Sequence, residues 1–260
     1  MQIILLKLIL TPLLTGAATW AGRKYGHNVS GLLIGLPLNA GPIALFLALQ
    51  HGETFASQSA KGIILGAVSL AIYSIVYAAL SRKLHWLLCA LSGWVAYLSA
   101  TFLFNQFSLE LLPIFFLSVL MLLFLLLLFP KYKEEDISII PPSWDLPLRV
   151  ILATLFILGL TYISGNLGSN LSGLLSTFPI FGTIFAVTTH YLYGSNACIR
   201  LLRGVIISLF SFVVFFLILA SFIQTLGIGF TFWLATGGCF ISQGIIVFWE
   251  RKWQDRKKDL

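Results

Sequence analysis

Long apolar runs separated by short polar stretches dominate this chain, and they predict membrane-spanning helices. An α-helix crosses the hydrocarbon core of a bilayer with about 20 largely apolar residues. The pattern predicts nine spans, at about 2–20, 31–50, 60–81, 84–104, 109–129, 147–164, 171–193, 204–223 and 227–248. We therefore expect an all-α membrane protein.

The same pattern of residues occurs twice, 142 positions apart. Residues 28–33 read Asn-Val-Ser-Gly-Leu-Leu ahead of Pro37, and residues 170–175 read Asn-Leu-Ser-Gly-Leu-Leu ahead of Pro179. The offset also relates the first predicted span to the sixth, so that span reads as part of the fold rather than as a cleaved signal peptide. The predicted organisation is a four-helix repeat (1–104), a linking helix with a cytoplasmic loop (105–146), a second four-helix repeat (147–249) and a basic tail (250–260).

Basic residues concentrate in every second inter-span loop, as at 23–24, 82–83, 131–133, 200–203 and 251–258. By the positive-inside rule the N-terminus lies outside and the C-terminus in the cytoplasm. The first and sixth spans then begin on opposite sides of the membrane. The sequence thus predicts inverted repeats, with the fifth span as the helix that reverses the chain, an arrangement typical of secondary transporters.

Composition supports the membrane class and narrows the chemistry. The chain is 58% hydrophobic and 10% charged, with a mean hydropathy of +0.97, whereas soluble domains carry about 25% charged residues. The net charge of +7 is explained by topology and anionic lipid rather than by nucleic acid. Three scattered cysteines and four histidines show no metal-ligand spacing, and no catalytic or phosphate-loop motif is present. We expect no enzyme activity, no catalytic residues, no metal and no cofactor.

Helix-breaking residues recur at matching depth in the second and seventh spans. A break inside a bilayer persists only against protein or a water-filled cavity, and its freed backbone groups can hold a ligand. The predicted substrate-binding residues here are Pro37, Asn39, Gly41, Pro42, Pro179, Gly182 and Thr183. Ordinary proline kinks, with glycines for close helix packing, are the alternative.

Charged and titratable residues near the spans supply the remaining candidates. Lys61 and Arg203 are partners at the offset of 142 and could attract an anion at each mouth, or simply extend to the interface. Glu53 and His51 could couple protons, or Glu53 could form a solvated salt bridge near Lys61. His190 could titrate near neutral pH, or be an interfacial, hydrogen-bonded histidine.

Residues 190–195, His-Tyr-Leu-Tyr-Gly-Ser, followed by Ile199 and by Leu202-Arg203, resemble the GlpM-type small inner-membrane proteins. In the first half Gly52 and Lys61 follow the pattern, while Ala48 replaces the histidine. The resemblance implies a fused, two-unit version of a four-helix unit in the bacterial inner (cytoplasmic) membrane. It also points towards cell-envelope substrates.

The sequence predicts a secondary transporter that moves a small polar, anionic solute or a cell-envelope precursor by alternating access. The alternative is a non-transporting membrane subunit that supports envelope polysaccharide or lipid assembly, and an intramembrane enzyme lacks any motif. The expected partners are membrane lipid and a small-molecule solute, without nucleic acid; a homodimer stays open.

Overall fold

A computed structural model describes residues 36–37, 40–106, 110–131 and 168–258, together with single positions before residue 36 and between residues 144 and 163. The described residues form helices and turns, with no strand among them. The helices are α1 (Ala40–His51), α2 (Glu53–Leu80), α3 (Trp86–Phe104), α4 (Leu111–Leu127), α5 (Ser169–Ser176) and α6 (Ile180–Lys258).

Helix α6 consists of three helical segments, because two glycines interrupt it. Gly194 has φ 80° and ψ 179°, and Gly227 has φ 72° and ψ 170°. We refer to residues 180–193 as α6a, residues 195–226 as α6b and residues 228–258 as α6c. Each interruption takes a single residue, so the segments join without a loop.

The same backbone conformation precedes α2 and α5. Gly52 has φ 86° and ψ 172° ahead of Glu53, and Gly168 has φ 74° and ψ 167° ahead of Ser169. This part of conformational space is open essentially only to glycine, since a side chain there clashes with the backbone. Glycine at these positions therefore lets a helix begin immediately after a change of direction.

The observed bounds agree with the predicted spans for α3 and α4 and differ for two longer helices. Helix α2 begins at Glu53 rather than near residue 60, and α6b begins at residue 195 rather than near residue 204. The predicted loops ahead of these spans are helical, because a helix can continue past the apolar core while its exposed first turns carry polar residues. The first and sixth predicted spans lie largely outside the described residues.

Helices α2 and α6b pack side by side in opposite directions and form the centre of the molecule. Near the start of α2, the Ser57 hydroxyl donates to the carbonyl oxygen of Ala220, near the end of α6b, at 2.9 Å. Just beyond the end of α2, Arg82 Nη2 lies 3.4 Å from Oδ1 of Asn196, at the start of α6b. The pairing is therefore antiparallel along its whole length.

The outer helices expose large apolar side chains on the perimeter. Phe102 of α3 is 72% exposed, Leu127 of α4 is 85% exposed and Trp233 of α6c is 80% exposed. Soluble proteins rarely expose apolar surface on this scale. Three helical stretches are long and apolar enough to cross a membrane, namely Glu53–Leu80, Trp86–Phe104 and Gly182–Trp249. Length, composition and perimeter together identify an α-helical membrane protein.

Candidate functional site

The first helix break lies immediately ahead of α1. The N–H of Gly41 donates to the carbonyl oxygen of Pro37 at 2.8 Å, and this bond begins the helix. Pro42 falls in the first turn of α1, where a missing N–H costs no intrahelical bond. Asn39, the polar side chain predicted to act here, lies outside the described residues.

A pocket of about 300 Å³ lies beside this break. Its volume is at the lower end of the range for small-molecule sites. The lining residues are Leu36, Pro37, Gly41, Pro42 and Leu45 around the break, Phe215 of α6b, and Phe232, Thr236, Cys239 and Phe240 of α6c. Three of the predicted site residues, Pro37, Gly41 and Pro42, thus line a pocket.

The pocket is apolar. None of its described lining residues carries a charge. The Thr236 hydroxyl donates to the carbonyl oxygen of Phe232 at 2.7 Å, so its own helix already satisfies it. An anion would lose its hydration here without gaining a compensating cation or donor. The lining instead suits an apolar guest.

The pocket reaches the perimeter of the molecule at α6c. Phe240, one of its walls, is 64% exposed. The neighbouring side chains Trp233 and Ile241 on the same helix are also strongly exposed. A guest can therefore approach this pocket from the surface that faces lipid.

The second helix break, at 177–179, has the same local backbone pattern as the first. The N–H of Thr183 donates to the carbonyl oxygen of Pro179 at 2.7 Å, which repeats the Gly41–Pro37 bond 142 residues later. Its surroundings differ, however. Pro179, Gly182 and Thr183 are buried, and none of them is among the residues that line the pocket.

Two aromatic side chains of α3 close over this second break. Trp94 donates from Nε1 to the Thr183 hydroxyl oxygen at 2.9 Å. The Tyr97 hydroxyl donates to the carbonyl oxygen of Leu174 at 2.7 Å. Both rings contact Phe178, with centroid distances of 5.8 Å for Trp94 and 5.3 Å for Tyr97. The second break is thus a packed, hydrogen-bonded junction, as the packing alternative for these residues predicted.

Each break packs against the long central helix of the other half. A Cβ built on Gly41 would lie 3.8 Å from Cζ of Phe215 in α6b, and one built on Gly182 would lie 3.7 Å from Cε1 of Tyr73 in α2. Tyr73 and Phe215 are themselves 142 residues apart. The two halves therefore make corresponding contacts in opposite senses.

The predicted charge partners lie away from the pocket. Lys61, in the third turn of α2, pairs with Glu110, with 3.6 Å between Nζ and Oε2. The predicted pairing of Lys61 with Glu53 is therefore replaced by one with Glu110. Arg203 occupies the equivalent turn of α6b and also has an interaction partner. Because α2 and α6b are antiparallel, the two cations lie towards opposite ends of the molecule.

The predicted coupling residues do not form one cluster. His51 contacts the Phe55 ring at a centroid distance of 4.7 Å, beside Glu53 at the start of α2. Nδ1 of His190 lies 3.4 Å from the Tyr77 hydroxyl, near the other end of α2. A helix rises about 1.5 Å per residue, so roughly 36 Å of helix separates the two groups. Among the described residues no group of three or more His, Cys, Asp or Glu side chains could hold a metal ion.

The sequence analysis missed the pocket walls contributed by α6, among them Phe215, Thr236 and Cys239. These residues read as ordinary apolar span positions. The offset of 142 carried a usable signal, because it aligns Trp94 with Thr236 and Tyr97 with Cys239. Loss of two large rings at corresponding positions is the sequence counterpart of the pocket.

Comparison with known proteins returned no match: no family model, no curated protein and no solved structure is significantly similar to this chain. The similarity to the GlpM-type proteins stays a prediction from the residues that suggested it.

Proposed function

We propose that this chain is a secondary transporter of the bacterial inner membrane that carries a cell-envelope precursor with an apolar portion. Its nine spans would form two inverted repeats, with the N-terminus outside and the C-terminus in the cytoplasm. One repeat would rock against the other, and the pocket at the first break would hold the cargo.

The antiparallel packing of α2 against α6b is the observation that carries the proposal. Inverted repeats are related by an axis in the membrane plane, which makes corresponding helices antiparallel. Residues of α2 and α6b correspond at the offset of 142, and Gly52 and Gly194, which begin them, share one backbone conformation. The breaks at Pro37 and Pro179 fit the same scheme, since helices interrupted in both repeats are where such carriers bind their cargo.

Pocket chemistry supports the precursor over a small anion as the cargo. The described walls offer apolar surface and no positive charge. Lys61 is paired with Glu110, and neither Lys61 nor Arg203 is among the lining residues. We assign these two cations to the membrane interface, where long basic side chains reach water.

A non-transporting subunit is the second candidate, and the packed second break favours it. The hydrogen bonds from Trp94 and Tyr97 hold this junction closed. A carrier must loosen such a junction during its cycle, whereas a structural subunit would keep it.

Reconstitution into liposomes separates the two candidates. Purified protein is inserted into vesicles containing a fluorescent phospholipid, and translocation is followed by quenching from outside, with currents measured in parallel for a panel of anions. We expect lipid translocation well above that of empty vesicles. Pro37→Ala should slow it, whereas Pro113→Ala, on the exposed side of α4, should not. Absence of lipid translocation by monodisperse protein would reject the transporter and favour the subunit; anion currents alone would restore the small solute as cargo.

A further inference from the structure

The geometry points to the pocket at the first break as a binding site for one alkyl chain of a membrane phospholipid, which enters sideways from the bilayer between α1 and α6c. The inference rests on the proposed function in treating this pocket as the cargo site. It adds the ligand class, the direction of approach and a division of labour between the halves.

The division of labour follows from the residues on the two helices that face the breaks. Trp94 and Tyr97 of α3 fill the space beside the second break and bond to it. The corresponding positions of α6c, 142 residues later, hold Thr236 and Cys239. These smaller side chains line an open volume of about 300 Å³ beside the first break. One half thus carries its own aromatic plug, and the other half has space for a guest.

An apolar occupant follows from the walls of that space. Protein interiors are packed at the density of organic crystals, and an empty volume of this size forfeits many dispersion contacts. Water would need several polar partners to fill it. The Thr236 hydroxyl is already bonded within its helix, and the remaining walls are hydrocarbon, aromatic or thiol. An alkyl chain satisfies this lining without leaving any polar group unpaired.

The direction of approach follows from the position of the pocket at the perimeter. Phe240 forms one wall and is 64% exposed on α6c, the helix that also exposes Trp233 and Ile241. At Gly41 the opposite wall has no side chain, and the nearest atom of the facing ring, Cζ of Phe215, would lie 3.8 Å from a Cβ there. Lipid chains already surround this surface, so such a chain reaches the pocket without crossing water.

Photo-crosslinking in nanodiscs tests the site. The probe is a phosphatidylethanolamine with a diazirine near the end of one acyl chain, and the labelled peptides are mapped by mass spectrometry. We expect crosslinks concentrated in residues 232–240 and 36–45. The double variant Thr236→Trp with Cys239→Tyr, which copies the plug of the other half, should lower them at least tenfold. The matched control, Leu234→Trp with Ile241→Tyr, adds the same rings on exposed positions and should leave them unchanged.

A second variant guards against misfolding of the first. Gly41→Leu narrows the pocket from the α1 side, where a Cβ has ordinary contact distances, and should also lower the labelling. Undiminished crosslinking in a folded, pocket-filled variant overturns the site, as does wild-type labelling spread evenly over the perimeter. Pocket crosslinking without lipid translocation leaves the alkyl-chain site standing and removes the transporter. Translocation without pocket crosslinking does the reverse.

Discussion

Replacing Gly52 by alanine separates backbone strain from steric contact. A Cβ on Gly52 would meet nothing within 4 Å, so the side chain itself has room. The backbone, at φ 86° and ψ 172°, lies where residues other than glycine are strained by about 1–3 kcal/mol. We therefore expect Gly52→Ala to lower the free energy of unfolding by about that amount. Gly194→Ala should behave alike, because φ is 80° and ψ is 179° there.

The three buried free cysteines, Cys89, Cys198 and Cys239, provide the assay. A thiol-reactive dye reports their exposure as the detergent-solubilised protein is heated. One kcal/mol shifts the Tm of a chain of this size by about 2–4 °C, so the strain corresponds to a decrease of roughly 2–12 °C.

Gly229→Ala is the matched control for this measurement. Gly229 lies within helical α6c and also has nothing within 4 Å of an added Cβ. Alanine in a helix is favoured over glycine by roughly 0.5–1 kcal/mol, so the Tm should stay equal or rise. If Gly52→Ala matched Gly229→Ala, the backbone conformation described for Gly52 and the reasoning from it would be wrong.

Two further predictions concern the packing of the second half. A Cβ on Gly173 would lie 2.0 Å from the carbonyl oxygen of Ser59, so Gly173→Ala must separate α5 from α2 and should lower the Tm further than Gly52→Ala does; an equal or smaller decrease would contradict that close backbone approach. Trp94→Phe keeps a ring beside the second break but removes the donor to Thr183. It should cost about 1 kcal/mol, measured as a lower Tm than that of Trp233→Phe on the exposed face; equal Tm values would show that the bond contributes nothing.

Hydropathy predicted the helices whose polar ends coincide with the membrane boundary and misplaced the others. Helices α3 and α4 begin and end close to their apolar runs, so their spans were predicted well. Helix α2 continues through the polar residues Glu53 to Ser59, which a hydropathy pattern assigns to a loop. Its true start is set by the conformation of Gly52, and no property of single residues along the chain reports that conformation.

The candidate site divided in a similar way. Proline and glycine mark backbone breaks directly in a sequence, so Pro37, Gly41 and Pro42 were identified before the structure. What fills the space beside a break depends on side chains from distant helices, and these decided the outcome. Trp94 closes one break, whereas Thr236 leaves the other open.

Gly52, Gly168, Gly194 and Gly227 also give a means of recognising distant relatives of this chain. All four have positive φ, and Gly52, Gly168 and Gly194 have open space around an added Cβ, so backbone conformation rather than packing selects glycine there. Leucine, isoleucine and phenylalanine in the spans can exchange freely as long as the surface stays apolar. Relatives whose spans have diverged beyond alignment should therefore still carry glycine at these four spacings, while Gly229 and Gly237, in open helical positions, vary.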